Sequence, residues 1–142
     1  MKPMYTAAAT AEAGRNGRVW SDDKSLELPL SMPKEMGGDG SSGTNPEELF
    51  AAGYAACFHS AMMFIGGQKK LDLAGSQVKA AVSIGQSDAG PGFELAVTLS
   101  AHLPNLPQDD AAALVDEAHK VCPYSNATRG NVDVALDVQG QA

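Results

Sequence analysis

The chain has 142 residues, 17 of them acidic and 10 basic, for a formal charge of −7. This length suggests a single domain over residues 1–142, and a chain of this size buries roughly 70% of its unfolded surface, so no disulfide or metal staple is expected to be needed for folding. The acidic balance and the lack of a Lys/Arg-rich tract argue against nucleic acid and anionic membranes as main partners.

In chain order, Met4–Thr10 and Arg18–Trp20 read as extended. Between them lies Arg15-Asn16-Gly17-Arg18, where Asn-Gly signals a type I′ hairpin because both central residues need positive φ. A third short strand fits Ser25–Leu30. The N-terminal stretch MKPMYTAAATAEAG lacks the apolar core of a signal peptide, which makes the cytoplasm the expected location. Residues 31–45, SMPKEMGGDGSSGTN, form a long Gly/Ser loop of a kind that is often functional. The loop ends at a helix start: Asn45 suits the cap, Pro46 the first helical position, and Glu47 and Glu48 the positive end of the dipole. Thr44 and Glu47 also match a capping box. The helix runs to Gly66-Gly67 and is apolar almost all round, so burial on most sides is expected. Residues 49–67, its most apolar part, are barely long enough to cross a bilayer and read as a buried helix of a soluble protein.

Further on, Val78, Ala80, Val82 and Ile84 alternate with polar or small residues, as do Phe93, Leu95, Val97, Leu99 and Ala101. Asp88-Ala89-Gly90-Pro91-Gly92 joins these two strands as a hairpin loop. A second helix covers about residues 108–121, with Ala111, Leu114, Val115, Ala118 and Val121 as its apolar stripe, and Pro123 ends it just past Cys122. A last strand carries Val132, Val134, Leu136 and Val138. About six strands and two helices make an α+β domain, with no repeat of 20–50 residues.

Several patterns admit chemistry. Gly38-Asp39-Gly40-Ser41-Ser42-Gly43 is a formal G-x-G-x-x-G, but no strand clearly precedes it and Glu47 and Glu48 would repel a pyrophosphate; it reads as a flexible loop. Asn126-Ala127-Thr128 matches a glycosylation acceptor, which an unexported protein would not use. Cys57, His59, His119 and Cys122 could hold zinc. His119 and Cys122 share a helical face, whereas Cys57 and His59 lie about 200° apart around theirs. A Cys–His hydrolase pair of Cys57 with His102 is another option. Thiol redox chemistry is a third. It requires a thiolate at Cys57, mid-helix in the apolar run AAGYAACFHSAMMF, and a guanidinium against the sulfur would supply the stabilisation. The chain has three arginines, Arg15, Arg18 and Arg129, two of which flank the first turn. Either both are solvated tips or one turns inward onto an anion.

The stretches TNPEELFAAGYAACF (44–58) and VCPYSNATRGNVDV (121–134), with GRNGR (14–18) and LSMPKEMGGDG (30–40), resemble the organic hydroperoxide resistance proteins, a branch of the OsmC-like superfamily, over nearly the whole chain. The resemblance implies a thiol-dependent peroxidase acting on alkyl and fatty-acid hydroperoxides. By the same resemblance, Cys57 is the peroxidatic cysteine and Cys122 the resolving one. Arg15 holds and activates the thiolate, and Glu47 orients Arg15. The family's reductant, lipoylated protein carrying dihydrolipoamide, is implied on the same ground; no bound metal, flavin or haem is. Phe50, Phe58, Met62, Met63 and Phe64 are candidates for an apolar pocket or for plain core. His59, Trp20 and Lys34 depart from the family pattern, in which an apolar residue, a small aliphatic residue and an arginine stand there.

A disulfide between the two cysteines would require the Cys122 end of the second helix to pack against the middle of the first. Glu47 and Cys57, ten residues apart, would be about 15 Å apart along one straight helix. Either the helix breaks, or Glu47 and Arg15 serve a cysteine of another chain. The expectation is therefore a homodimer with active sites built from both subunits, in agreement with the intertwined dimers of the family. An OsmC-like enzyme of other peroxide preference and a non-enzymatic thiol or zinc-binding module are the competing readings.

Overall fold

The structure, a computed structural model, describes residues 1–141. Two compact units divide the chain, one of residues 1–49 and one from residue 50 onward.

In the first unit, β1 (Ala9–Glu12), β2 (Arg18–Ser21) and β3 (Glu27–Pro29) form an antiparallel sheet in that order. The first strand starts later than the expected Met4–Thr10. The turn between β1 and β2 is not the type I′ hairpin that Asn16-Gly17 predicts. Positive φ falls instead on Ala13 (61°) and Gly14 (56°), and Gly14–Asn16 form a single 3-10 turn. Glu12 pairs with Arg18, so the connection spans five residues (13–17), too wide for a two-residue turn. Gly17 is required for another reason: a Cβ there would lie 1.7 Å from the Glu12 carbonyl oxygen.

The Gly/Ser loop folds on itself. Thr44 N–H donates to the Pro29 carbonyl and Ser31 N–H to the Thr44 carbonyl, at 2.9 and 3.0 Å. Gly38 packs where a Cβ would strike the Met32 carbonyl. The glycines of the formal nucleotide motif thus include one that close backbone packing demands.

Helix α1 (Pro46–Gln68) is continuous. Asn45 Oδ1 accepts from Glu48 N–H at 2.8 Å, which is the expected cap. The Thr44–Glu47 capping box does not form. Thr44 Oγ1 donates to Glu48 Oε1, and Glu47 is engaged by Arg15. The helix ends where Lys70 takes a left-handed conformation (φ 57°) and Leu71 N–H reaches back to the Gly66 carbonyl. By length and composition α1 could cross a membrane.

In the second unit, β4 (Gln77–Gln86) and β5 (Phe93–Pro107) form the expected hairpin, and β6 (Asp133–Gln141) pairs with β5 in parallel. A parallel return needs a long crossover. Helices α2 (Gln108–Val121) and α3 (Pro123–Thr128) supply it. The second of these was not foreseen: Pro123 ends α2 and, as a residue suited to a first helical turn, starts α3. The core combines Tyr54, Phe58 and Met62 of α1, Val97, Leu99 and Leu103 of β5, and Leu114 and Val115 of α2. Burial on α1 is confined to one stripe of Tyr54, Phe58, Ala61, Met62, Ile65 and Gly66, which corrects the expectation of burial on most sides. Met63 and Phe64 are exposed, Phe64 by 65%.

Candidate active site

Cys57 lies on α1, and Cys122 is the hinge residue between α2 and α3. The backbone of Cys122 is extended (ψ 123°), the conformation forced on a residue before proline. Its N–H still closes α2 on the Ala118 carbonyl, and its carbonyl accepts from Asn126 N–H to open α3. This corner sets the fully buried Cys122 thiol 3.5 Å from the sulfur of the half-buried Cys57. Both are free thiols.

The backbone N–H of Tyr124, in the first turn of α3, also points at the Cys57 sulfur. Burial pushes the Cys57 thiol up from its ordinary value. The Tyr124 N–H pulls it back, and Cys122 pushes it up again, first through the thiol–thiol hydrogen bond and then through its like charge once ionised. The groups of this unit therefore present a thiol, with one donor ready for a thiolate.

An aromatic wall stands beside this pair. The Phe50, Tyr54 and Tyr124 rings have centroids 6.0, 6.1 and 5.7 Å apart in inclined arrangements. Gly53 makes room for it, because a Cβ there would lie 3.0 Å from the Tyr124 hydroxyl. Of the five residues considered for an apolar pocket, only Phe50 joins this wall. Phe58 and Met62 are fully buried core, and Met63 and Phe64 are exposed.

Behind Cys122 runs a chain of buried hydroxyls. Ser125 Oγ meets His119 Nδ1 at 2.8 Å and the Tyr54 hydroxyl at 2.8 Å. The Tyr54 hydroxyl meets Thr128 Oγ1 at 3.2 Å, and Thr128 Oγ1 donates to the Ser125 carbonyl. Burial, and after it the charge of Arg129, hold the His119 pKa below its ordinary value, with Asp116 opposing. Arg129 closes the corner from outside. It donates to Asn126 Oδ1 at 2.6 Å and to the His119 carbonyl.

In the first unit the 3-10 turn presents Arg15 to Glu47, the second residue of α1. Two parallel hydrogen bonds of 2.7 Å join guanidinium and carboxylate, with side-chain exposures of 28% and 13%. The Arg15 hydrogen bond holds the Glu47 carboxyl below its ordinary range, and Glu47 raises Arg15 in return. Arg18 behaves differently. It is exposed, lies 4.4 Å from the centroid of Trp20 and pairs loosely with Glu12 at 3.6 Å. One arginine of the turn thus binds an anion and the other caps an indole face.

The remaining candidates separate. His59 Nε2 bonds to Ser76 Oγ at 2.9 Å and His119 to Ser125, so each imidazole has its own partner. Among the described residues no cluster of His, Cys, Asp and Glu is arranged to hold a metal. His102 is exposed between the buried Ala101 and Leu103 of β5, so it faces away from the core against which Cys57 packs. That overturns a Cys57–His102 pair. Sequence reasoning missed Tyr54, Tyr124, Ser125 and Thr128. The available signal was the dense polar run after Pro123, Tyr-Ser-Asn-Ala-Thr, which matched a glycosylation acceptor instead.

Residues 37–137 match the family described as OsmC-like protein. An organic hydroperoxide resistance protein of Xanthomonas axonopodis pv. citri (strain 306) is 53% identical, over 95% of this chain and 94% of its own. The crystal structure of one from Legionella pneumophila superposes with a TM-score of 0.91 at 50% identity, covering 97% of this chain and 99% of that one. Bacillus subtilis OhrB superposes at 0.89 with 42% identity, covering 96% and 100%. The chain belongs to the OsmC-like family, in the branch of the organic hydroperoxide resistance proteins.

Proposed function

We propose that this protein is a thiol peroxidase that reduces organic hydroperoxides to alcohols. The observation that carries this reading is the pair of free thiols 3.5 Å apart, with the Tyr124 N–H aimed at the Cys57 sulfur. The names of the relatives supply the substrate class, and the accessible Phe50 and Tyr124 rings of the aromatic wall suit an alkyl or fatty-acid chain, with the fully buried Tyr54 behind them. The Cys57 thiolate attacks the peroxide oxygen distal to carbon, the O–O bond breaks, the alkoxide takes a proton from solvent and leaves as the alcohol, and Cys57 becomes a sulfenic acid. The Cys122 thiol condenses with it, releasing water and forming the disulfide. Closing 3.5 Å to a bond near 2.05 Å asks for a movement of about 1.5 Å.

Because burial raises the Cys57 thiol, attack near neutral pH needs a cation, and Arg15, held by Glu47, is assigned that task. On a continuous helix Glu47 and Cys57 of one chain stand about 15 Å apart along the axis. The Arg15–Glu47 pair is therefore assigned to the thiols of a second copy in a homodimer. The exposed apolar side of α1, with Met63 and Phe64, supports such an assembly. Reduction of the disulfide is assigned to dihydrolipoyl groups of a lipoylated protein, in a reducing, cytoplasmic setting.

The test is one equivalent of cumene hydroperoxide added to reduced protein, followed by non-reducing peptide mass analysis. A rapid Cys57–Cys122 disulfide is expected, faster than with hydrogen peroxide. Two free thiols after exposure would overturn the reading.

A further inference from the structure

The buried hydroxyl chain can be oriented by counting protons. Thr128 has one hydroxyl hydrogen, and the Ser125 carbonyl, which can only accept, takes it. Thr128 Oγ1 must then accept from the Tyr54 hydroxyl, whose oxygen must accept from Ser125 Oγ. The Ser125 hydrogen is then used, so its oxygen can meet His119 Nδ1 only if that nitrogen carries a hydrogen. The opposite direction forfeits the Thr128–carbonyl bond. Four hydrogen bonds against three decide the polarity, and the neutral His119 is the Nδ1–H tautomer, the one free imidazole disfavours.

The chain also has a specific place. Tyr54 lies one turn before Cys57 on α1, His119 one turn before Cys122 on α2, and Ser125 one turn after it on α3. The three helices that fix the two sulfurs are thus joined through atoms that are all in or beside the core, with Tyr54 and Ser125 fully buried. We propose that His119, Ser125, Tyr54 and Thr128 are positioning residues for Cys122, a one-directional hydrogen-bonded chain that sets how fast the disulfide closes. This rests on the thiol peroxidase reading. Its consequence is a branch point. The Cys57 sulfenic acid either condenses with the Cys122 thiol, giving disulfide and water, or reacts with a second hydroperoxide, giving a sulfinic acid and an alcohol. Loosening the chain slows the first path and leaves the second untouched.

Two measurements test this on the whole protein. Imidazole nitrogen chemical shifts should show neutral His119 protonated on Nδ1; an Nε2–H tautomer would overturn the polarity. The ratio of Cys57 sulfinate to Cys57–Cys122 disulfide, read by mass at several hydroperoxide concentrations, tests the positioning role. Tyr54→Phe should raise that ratio about tenfold or more, the scale of a misplacement approaching 1 Å, with the rate of the first oxidation unchanged. His119→Asn, which keeps a donor near the Nδ1 position, should stay near the wild-type ratio, whereas His119→Asp, an acceptor when ionised, should behave like Tyr54→Phe. A merely structural role would lower stability in each variant without sorting them by donor. Unchanged ratios in Tyr54→Phe, with wild type closing its disulfide normally, would overturn the positioning role and leave the peroxidase reading intact. A wild-type protein that forms no disulfide would remove both, while the tautomer would still stand or fall by itself.

Discussion

At the scale of single residues, the Arg15–Glu47 pair shows how burial and geometry set charge. The carboxylate accepts two 2.7 Å bonds from one guanidinium and is held below its ordinary range. A carboxyl with a depressed folded-state pKa adds stability above its unfolded value, near 4.3, and loses that stability as pH falls through the folded value. Glu47→Gln should therefore lower stability at pH 7 by about 1 kcal/mol, a figure reduced for the partial solvent exposure of Arg15. The gap between variant and wild type should close as pH falls below the carboxylate range, which thermal melts across pH would show. A gap that does not narrow as pH falls from 7 through the carboxylate range would mean that the ion pair is not its source. The Cys57 thiol has the opposite sign. Burial raises it, so its contribution to the stability of the reduced protein is present below the ordinary thiol pKa, near 8.5, and declines as pH rises beyond it. Thermal melts of the reduced protein across alkaline pH should show that decline, and Cys57→Ala should flatten it.

At the scale of elements, two short segments do what the long ones cannot. The 3-10 turn at Gly14–Asn16 aims Arg15, and it depends on Gly17, whose Cβ would overlap the Glu12 carbonyl. Gly17→Ala should cost about 2–3 kcal/mol in stability, because backbone rather than a flexible side chain must move. Amide hydrogen exchange should localise the loss to β1, β2 and the Leu30 N–H that bonds to the Gly17 carbonyl. Protection unchanged in those strands would contradict the assignment. Helix α3 has six residues, too few to persist alone, and is held by Pro123, by the Arg129 bonds to Asn126 and the His119 carbonyl, and by the Ser125–Tyr54 contact. Its first turn delivers the Tyr124 N–H to Cys57, a donor that the position of Cys57 in the middle of α1 does not provide.

At the scale of the whole molecule, a Cys57–Cys122 bond closes a loop of 65 residues. Loop entropy predicts that the oxidised protein gains about 4 kcal/mol over the reduced one, less any strain. A melting temperature several degrees higher after one equivalent of hydroperoxide, reversed by dithiol, is the expected result; equal melting temperatures would mean that strain consumes the entropy gain. The side of α1 that carries Met63 and Phe64 gives a second prediction. If it seats a second copy, Phe64→Asp should yield a monomer by analytical ultracentrifugation at micromolar concentration and lose peroxidase turnover with the cysteines intact. A fully active monomer would break the link between assembly and catalysis.

The sequence by itself determined the features that depend on neighbours in the chain. Asn45-Pro46 starts α1, alternation places Val78, Val97 and Val134 on the half of each strand that faces the core, and four of the five stripe residues, Ala111, Leu114, Val115 and Ala118, bury α2, while the fifth, Val121 at its end, is exposed. Capping and periodicity act over one or two turns, so they survive without knowledge of the fold. The motifs around Cys57 and Cys122 likewise carried the family. Tertiary structure alone decided the rest. Arg15 and Glu47 are 32 residues apart and the two cysteines 65, and only packing brings each pair into contact. The turn at Ala13-Gly14 overrode the Asn-Gly signal because the Glu12–Arg18 register left five residues to close it. Tyr54 meets Ser125 and Thr128 only because α3 folds back beside α1, and no local preference of a tyrosine, serine or threonine encodes that meeting.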